Sequence, residues 1–375
     1  MDKHLHIVTL DVPYPADYGG AIEQLYKIKW LHQLGVKIHL HCFTKSRPAA
    51  AELNQFCESV NYYPRKTGFK RFPIFTPYIV ASRSEPALLA NLQKDNYPIL
   101  FEGIHTTFLL QTNLLKGRQI FVRLHNCEYR YYAQLAKHEK NFLKRLYFNY
   151  ESFLLRKYEQ RIAKRCALLA MSESDLDIFV KEFKAKDIQF IPAFVGWEEV
   201  TGPEGKGCYC LYHGNLSVNE NEAAAAWLLQ NVFDKSGLPF VIAGKSPSAA
   251  LEKLAHENEH TCLVADPGEK ELQDMIAKAQ VNVLPSFNNT GIKLKLLNAL
   301  YSGRHCLVNT AGVDGSGLEN ICTVANDGPS FKKAVTELYD VSFNEAEVEK
   351  RKVLLAGLNN NKLNAEKIMR LYWPD

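Results

Sequence analysis

Short apolar runs alternate with longer helical patterns along most of this 375-residue chain, and strict alternation of this kind predicts an α/β fold with parallel sheets. Two such series occur, separated by one stretch without periodicity. The sequence therefore predicts two Rossmann-like domains with helices on both faces of each sheet. The length agrees, because about 100–200 residues are typical of one domain.

The first series begins with a buried strand and a helix, and Gly35 supplies the turn before the next strand. Further short apolar runs bounded by polar residues mark the remaining strands. The predicted elements are strands at His4–Leu10, Val36–Phe43, Ile99–Phe101, Gln119–Leu124, Ala167–Met171 and Ile188–Ile191, and a helix at Gly19–Leu34.

The second series repeats this order after a segment rich in Gly, Pro and Glu, Pro192–Gly207. We expect a first domain over residues 1–191, a linker over 192–206 and a second domain over 207–359. A C-terminal helix at about 360–375 can pack back on the first domain. The predicted strands are Cys208–His213, Pro239–Ala243, Thr261–Ala265, Val281–Leu284 and His305–Val308, and the helices are Asn219–Asn231, Ser248–His256, Glu269–Ala279 and Gly291–Ser302.

Composition narrows the class of protein. The net charge of +4 argues against a general nucleic-acid binder, and 46% hydrophobic residues fit a globular protein. Nine scattered cysteines without a Cys-x-x-Cys pair favour a reducing cytosolic compartment and no cysteine-based metal site. No apolar run reaches the roughly 18 residues of a membrane span, and Asp11 interrupts the N-terminal run, so we expect no signal peptide.

Positive charge is concentrated in the first half of the chain, chiefly in Lys137–Arg165, where aromatic and aliphatic residues separate the basic ones. The favoured interpretation is a long core-packing helix with a solvated basic side. The alternative is a surface that docks on anionic membrane. Lys70–Phe75, where aromatic and basic residues also alternate, is a second candidate for such docking.

Ligands of doubly wound sheets bind beyond the carboxyl ends of the strands, so the loops there are the candidate sites. In the first domain, the loop ending at Tyr18, Gly19 and Gly20 leads into a helix whose N–H groups can bind an anion or a sugar hydroxyl. The alternative is that this loop is only a turn that starts the helix. His125 and Asn126 follow another strand and can contact a sugar or transfer a proton, or tie the loop to backbone. The remaining candidate is His105, whereas Ser172–Asp175 is expected to cap a helix.

In the second domain, two loops and one helix start carry the candidates. The loops contain Gly214 and Asn215, and Gly244 and Lys245, respectively. In Ser286–Gly303, a turn leads into a helix whose N–H groups and ammonium groups can hold a diphosphate. The candidates in this segment are Thr290, Gly291, Ile292, Lys293, Lys295 and Asn298.

Taken in order, these segments resemble the motifs of retaining glycosyltransferases of family 4, the glycosyl transferases group 1, which have the GT-B fold. The resemblance covers roughly residues 5 to 320. The matching segments are Pro13–Gly20, Arg123–Tyr129, Ser172–Asp175, Tyr212–Ser217, Gly291–Gly303 and Gly312–Gly315.

The resemblance implies two Rossmann-like domains whose sheets face a central cleft, and metal-independent transfer of a hexose from a nucleotide-sugar without any further cofactor. It implies that Lys295 holds the donor diphosphate, that His125 contacts the donor sugar, and that Gly19 and Gly20 approach phosphate or acceptor. Two departures stand out. Asn298 replaces the glutamate that holds the ribose in the family, and the family's Arg and Lys after the first donor-domain strand are missing.

We therefore expect a cytoplasmic glycosyltransferase of polysaccharide biosynthesis, with a glycan, lipid-linked or other cell-envelope acceptor and no nucleic-acid partner. It would be peripheral on the inner face of the membrane if the basic surface docks there. The alternatives are a GT-B sugar-nucleotide epimerase and a catalytically weak glycosyltransferase-like scaffold subunit, the latter suggested by Asn298.

Overall fold

The chain folds into two compact units, as seen in a computed structural model that describes residues 2–45, 47–68, 74–139, 141–288 and 290–374. The first unit comprises Met1–Gly196, Thr290–Ile292 and Asn359–Asp375, and the second comprises Trp197–Asn289 and Lys293–Leu358. Parts of the predicted basic segments lie outside the described residues, namely residues 70–73 and Lys140.

The first unit contains a parallel sheet of seven strands in the order β3-β2-β1-β4-β5-β6-β7. Successive strand residues enter opposite cores: Leu5 and Ile7 pack on one side of the sheet, and Val8 packs on the other. The sheet is thus buried on both faces, as expected for a doubly wound fold. The strands are β1 (Lys3–Thr9), β2 (Val36–Thr44), β3 (Ser59–Pro64), β4 (Ile99–Glu102), β5 (Ile120–Leu124), β6 (Ala167–Ala170) and β7 (Ile188–Phe190).

Among the described residues, six α-helices precede the second unit. They are α1 (Gly19–Gln33), α2 (Tyr78–Ala81), α3 (Pro86–Leu92), α4 (Glu128–His138), α5 (Phe142–Ala163) and α6 (Glu173–Lys181). The Ser172 hydroxyl accepts a hydrogen bond from Asp175 N at 3.1 Å, so the predicted capping role of this segment is confirmed. In the described part of the chain, no helix combines the length and apolar character needed to cross a bilayer.

The second unit has six parallel strands in the order β10-β9-β8-β11-β12-β13. The strands are β8 (Cys210–Asn215), β9 (Phe240–Lys245), β10 (Thr261–Ala265), β11 (Val281–Val283), β12 (His305–Val308) and β13 (Thr323–Val324). The helices are α7 (Asn219–Asn231), α8 (Ala249–His256), α9 (Glu269–Lys278), α10 (Leu294–Ser302), α11 (Thr310–Val313), α12 (Gly328–Asp340) and α13 (Glu345–Leu358). The prediction of two α/β domains with parallel sheets is confirmed.

The last helix, α14 (Asn361–Tyr372), belongs to the first unit. Ile368 and Tyr372 are buried in one of its cores, and the Tyr372 hydroxyl donates to the carbonyl of Ile99 at 3.0 Å. The Asn361 amide pairs with both backbone groups of Val195. The chain end is therefore part of the first sheet's packing.

Three expectations about elements were wrong. The helix expected from Gly291 begins at Leu294, because Gly291 has a φ of 64°, which a right-handed helix excludes. One helix was expected over Lys137–Arg165, but α4 ends at His138 and Asn141 caps a new helix. The edge strands β3 and β13 were not predicted; β3 lacks a continuous apolar run, and β13 has only two residues.

A buried network of ion pairs fastens α1 to the first sheet. Lys27 Nζ lies 2.8 Å from Glu23 Oε2 on the same helix and 2.7 Å from Glu102 Oε1 at the end of β4. Arg123 of β5 pairs with Glu23 Oε1 at 3.0 Å and also donates to two backbone carbonyls. All four side chains have zero exposure. Burial alone would raise the pKa of Glu23, but the charges of Lys27 and Arg123 lower it to about 2.

Histidines form a second polar feature on β1 and β2. Nδ1 of His4 lies 3.0 Å from Nε2 of His39, and Nδ1 of His6 lies 2.9 Å from Nε2 of His41. Because side chains two apart on a strand share a face, the spacing His-x-His on two neighbouring strands places all four rings together. The sequence analysis missed this pattern.

The two inner histidines continue a chain of hydrogen bonds. Asp95 Oδ1 lies 2.9 Å from His6 Nε2, and the Tyr63 hydroxyl lies 2.8 Å from His41 Nδ1. With Asp95 accepting from His6, both rings satisfy their partners as neutral imidazoles. Burial lowers the pKa of His6, and it lowers that of His41 to about 3. A proton on His41 would break this pattern.

Stability should therefore fall on acidification. The unfolded chain binds a proton at His41 below about pH 6.5, whereas the folded protein resists it down to about pH 3, so protons favour unfolding between these values. From pH 7 to pH 5 we expect His41 to lower the unfolding free energy, measured in urea, by about 2 kcal/mol. His41→Gln should make this dependence shallower by about one proton, whereas His32→Gln on the exposed side of α1 should not. Identical slopes for wild type and His41→Gln would contradict the assignment.

Removing one member of the ion-pair network should strongly lower the free energy of unfolding. Lys27→Met leaves two carboxylates desolvated and underpaired, and the loss of a partner from a buried pair costs about 3–5 kcal/mol. The matched control is Lys181→Met, because Lys181 pairs with Asp177 at the same i,i+4 spacing but both are exposed; such pairs contribute less than about 1 kcal/mol. Equal costs for the two variants in chemical denaturation would show that the buried network is unimportant for stability.

Candidate functional site

Three loops of the first unit meet at one edge of its sheet. Strands β1, β4 and β5 are neighbours, so the chain segments after their carboxyl ends are adjacent. These segments carry the predicted residues Tyr18, Gly19 and Gly20, then His105, and then His125 and Asn126. This edge is where a doubly wound domain binds its ligand.

His125 lies directly beside the buried ion pairs. Its Nε2 is 2.9 Å from Glu102 Oε2 and 4.0 Å from Glu23 Oε2, and its side chain is 9% exposed. A carboxylate at Nε2 keeps the proton on that nitrogen, so Nδ1 is left as the acceptor side of the ring. Glu102 therefore sets both the orientation and the tautomer of His125.

Glu23, Glu102 and His125 also satisfy the distance requirement of a cation site, because their ligand atoms lie within 4.8 Å of one another. However, Lys27 Nζ is 2.8 and 2.7 Å from the two carboxylates, and an ammonium at these distances would repel a metal ion. The donor set fits an ion-pair network and does not fit a metal centre.

A second group of buried polar side chains surrounds Asn126. Its amide Nδ2 is 3.5 Å from Glu128 Oε1, and His105 Nδ1 lies 4.0 Å from the same oxygen. Burial raises the pKa of Glu128 to about 8, so this carboxyl group is mostly protonated at neutral pH. Burial, and then Arg83, hold the pKa of His105 well below its ordinary value. This edge can thus offer neutral hydrogen-bonding groups to a ligand.

The loop before α1 is held in place by Arg47. Its Nε donates to the carbonyl of Val12 at 2.8 Å, and its guanidinium lies 5.2 Å from the ring centre of Tyr18. Tyr18 is the residue that precedes the helix. A side chain at Gly20 would begin 2.9 Å from the Tyr18 ring, so glycine allows the close approach, and the first turn of α1 carries no acidic residue that would repel an anion.

In the second unit, Lys295 lies in the first turn of α10 and contacts polar groups of β8 and α7. Its Nζ is 3.0 Å from Asn221 Oδ1, 3.2 Å from the Tyr212 hydroxyl and 4.8 Å from the centre of the Tyr212 ring. Burial lowers the pKa of Lys295 to about 8, although Glu220 acts in the opposite direction. The ammonium is therefore still mostly charged at pH 7.

The predicted loop glycines of the second unit are strand residues. Gly214 pairs with Gly244, and Asn215 pairs with Lys245, at the ends of β8 and β9. A Cβ at Gly244 would lie 1.9 Å from the Gly214 carbonyl oxygen, so glycine is required by strand packing. The Asn215 carboxamide accepts from Ser217 N at 3.1 Å and thereby shapes the turn to α7. We expected these residues to follow the strands, and this expectation was wrong. The backbone pairing of β8 with β9 continues through Gly214 and Gly244.

The remaining predicted residues precede or occupy α10. Thr290, Gly291 and Ile292 group with the first unit, and Lys293 takes the N-cap position of the helix. Asn298 is buried, and its Oδ1 accepts from the Ser302 hydroxyl one turn later at 3.4 Å.

The groups that orient the predicted residues are not apparent as site residues in the sequence. Glu23 and Lys27 had a signal, because an acid and a lysine four residues apart on a helix otherwise rich in apolar residues are typical of a pair. Glu102 directly follows a predicted strand, and Tyr212 lies within one. No local pattern shows that these side chains meet His125 and Lys295, because the contacts join segments 23 to 83 residues apart.

Comparison with known proteins agrees with this description. Residues 207–340 match the family model described as glycosyl transferases group 1. A relative from Klebsiella pneumoniae, an uncharacterized 44.6 kDa protein in the cps region, is 26% identical over 356 residues and covers 88% of this chain and 89% of its own.

Solved structures resemble the whole chain. Sucrose-phosphate synthase from Thermosynechococcus elongatus has a TM-score of 0.69 at 15% identity and covers 99% of this chain and 98% of its own. WaaG, a glycosyltransferase involved in lipopolysaccharide biosynthesis, has a TM-score of 0.66 at 12% identity, with 99% and 100% covered. At such identities the likeness concerns the fold. Residues 207–340 thus match the glycosyl transferases group 1 family model, and the chain shares the fold of its GT-B glycosyltransferase neighbours.

Proposed function

We propose that this protein is a retaining family 4 glycosyltransferase that moves a hexose from a nucleotide-sugar to a glycan, lipid-linked or other cell-envelope acceptor in polysaccharide biosynthesis. One observation carries the proposal: within the group 1 domain, the ammonium of the half-buried Lys295 stands in the first turn of α10, held by Tyr212 and Asn221. The Klebsiella relative in a cps region supports the polysaccharide context.

The start of α10 suits the diphosphate of the donor. The N-terminus of a helix carries partial positive charge and unpaired N–H groups, and Lys295 adds an ammonium where the helix dipole disfavours one. An anion offsets both. Lys293 at the N-cap supplies a further positive charge near the same turn, which can substitute in part for the basic residues that the family has after its first donor-domain strand.

His125 is proposed to contact the donor sugar. Its Nε2 is engaged by Glu102, so Nδ1 would accept a hydrogen bond from a sugar hydroxyl. In the proposed reaction the bond from the anomeric carbon to the diphosphate breaks, and the acceptor oxygen bonds to that carbon on the same face. The departing diphosphate takes the acceptor proton, and Lys295 stabilises its developing charge. No step in this sequence requires a metal or a cofactor.

One observation favours a second candidate, a non-catalytic scaffold subunit. Asn298 is neutral where the family has a glutamate, and its carboxamide oxygen already accepts from Ser302, so ribose binding should be weaker than with a charged acceptor. A nucleotide-sugar hydrolysis screen separates the candidates. Slow hydrolysis with release of nucleoside diphosphate supports the transferase, and absence of any binding supports the scaffold.

We further propose a cytoplasmic location with peripheral contact to anionic membrane.

Lys295→Ala should weaken binding of a nucleoside diphosphate by about 1.5–3 kcal/mol, the range for hydrogen bonds to a charged group. Titration calorimetry of wild type and variant measures this difference, and thermal unfolding without ligand checks that the variant is folded. Lys278→Ala, at the exposed end of α9, is the matched control and should bind as wild type does. An unchanged dissociation constant for Lys295→Ala would remove Lys295 from the site and leave Lys293 as the next candidate.

His125→Ala should lower kcat by about 10²–10⁴-fold, the range for groups that act in proton transfer or contact the reacting centre, while affinity for the nucleoside diphosphate stays nearly unchanged. Glu102→Gln should lower kcat less and alter the pH profile, because the amide can still hold the ring of His125 but no longer fixes its tautomer; since the change also removes a charge partner of Lys27, thermal unfolding checks that this variant is folded. His256→Ala, on the exposed side of α8, serves as the control. Wild-type turnover in His125→Ala would make this histidine structural.

A further inference from the structure

The outer face of α5 carries large apolar side chains that the protein leaves exposed. Five of them fall within about a 100° arc of the helix, given 3.6 residues per turn. Exposed apolar residues are ordinary when scattered, but a contiguous set indicates an interaction site. They are Phe142, Leu143, Leu146, Tyr150 and Phe153, with exposures of 60%, 74%, 51%, 42% and 54%.

The opposite face of the same helix explains why this one is not core. Leu155, Tyr158 and Ile162 are buried against the sheet. The expectation of a core-packing helix thus holds for that face and fails for the face described above. The segment at residues 74–75 extends the exposed surface, because the Tyr150 hydroxyl donates to the Ile74 carbonyl at 2.5 Å, and Ile74 and Phe75 are 68% and 85% exposed.

The exposed charges on this helix are all of one sign. Both of its acids are buried and used internally: Glu151 accepts from the backbone N–H of Ile79, and Glu159 accepts from two N–H groups at the start of α4. Every exposed ionised side chain of residues 142–165 is therefore a cation. These are Lys144, Arg145, Arg156, Lys157, Arg161, Lys164 and Arg165.

Cations stand among the apolar rings. Lys157 Nζ lies 4.2 Å from the ring centre of Phe153, and the Arg145 guanidinium lies 5.7 Å from that of Phe142. Aromatic and aliphatic groups flanked by Lys and Arg are typical of helices that lie in a membrane interface, with the rings at headgroup depth and the cations at lipid phosphates. A second copy of this chain is a poor occupant, because a symmetric contact would bring like charges together.

We propose that the exposed face of α5, together with Ile74 and Phe75, docks on an anionic lipid membrane. The inference deepens the proposed function, on which it rests, by placing the protein at a surface where a lipid-linked acceptor would be available. Attachment is reversible and falls with ionic strength, because each basic residue contributes a small screened attraction.

Co-sedimentation with vesicles tests this proposal. Wild-type protein should bind phosphatidylglycerol-containing vesicles at low salt, bind pure phosphatidylcholine vesicles much less, and be released at high salt. Lys157→Gln/Lys164→Gln removes two exposed lysines on the same side of the helix as the apolar rings, and should lower the partition coefficient by about fivefold for each lysine, or about 25-fold together. Phe142→Ser/Leu143→Ser should lower it by at least tenfold and abolish the binding that survives moderate salt.

Two controls match these variants. Lys270→Gln/Lys350→Gln removes the same exposed charge from the second unit, and Val353→Ser removes an apolar side chain that is 77% exposed; both should bind vesicles as wild type does. No binding of wild type to anionic vesicles at low salt would overturn the proposal. A dimer in sedimentation velocity that Phe142→Ser/Leu143→Ser dissociates would identify the face as a self-interface and also overturn it.

Titration with nucleoside diphosphate, in the absence of vesicles, separates this inference from the proposed function. All vesicle-binding variants should keep wild-type affinity for the diphosphate. Wild-type protein that binds the diphosphate but does not bind anionic vesicles at low salt counts against the docking surface alone. Vesicle binding by a protein that never binds a nucleoside diphosphate counts against the proposed function alone.

Discussion

The packing of the first unit depends on four charges that are removed from water together. Glu23, Lys27, Glu102 and Arg123 have zero side-chain exposure, and desolvating any one of them alone would cost several kcal/mol. They are tolerated because each ion faces an opposite charge within 3.0 Å. The network therefore constrains α1, β4 and β5 to one relative position.

That constraint extends directly to the candidate site. Glu102 uses one oxygen for Lys27 and the other for His125, so the imidazole is oriented by the same network that fastens the helix. The glycine turn at the start of α1 is positioned by the same helix, since Glu23 and Lys27 are one and two turns beyond it. Stability and site geometry cannot be separated at these residues, which is why a functional test there needs ligand affinity as a second measurement.

Local pattern was sufficient to predict the alternation of strands and helices in two parallel-sheet units, and it drew attention to His125 and Lys295 as candidates. These features follow from apolar periodicity and from the residues at strand ends or a helix start. The start of α10 was misplaced by three residues, because a left-handed glycine is not visible in composition. The partners Glu102, Tyr212 and Asn221 could not be predicted, because strand order and side-chain direction bring them together.

The burial of Glu151 and Glu159 shows that the surface charge of a helix also could not be predicted from the sequence alone. In the sequence these acids offset part of the basic stretch, whereas in the fold both serve as internal acceptors for backbone N–H groups. The outer surface of α5 is accordingly more cationic than any count along the chain suggests. An acid that caps a neighbouring helix no longer offsets the positive charge on the surface of its own helix. Packing therefore turns a segment of mixed charge into a surface that is only cationic.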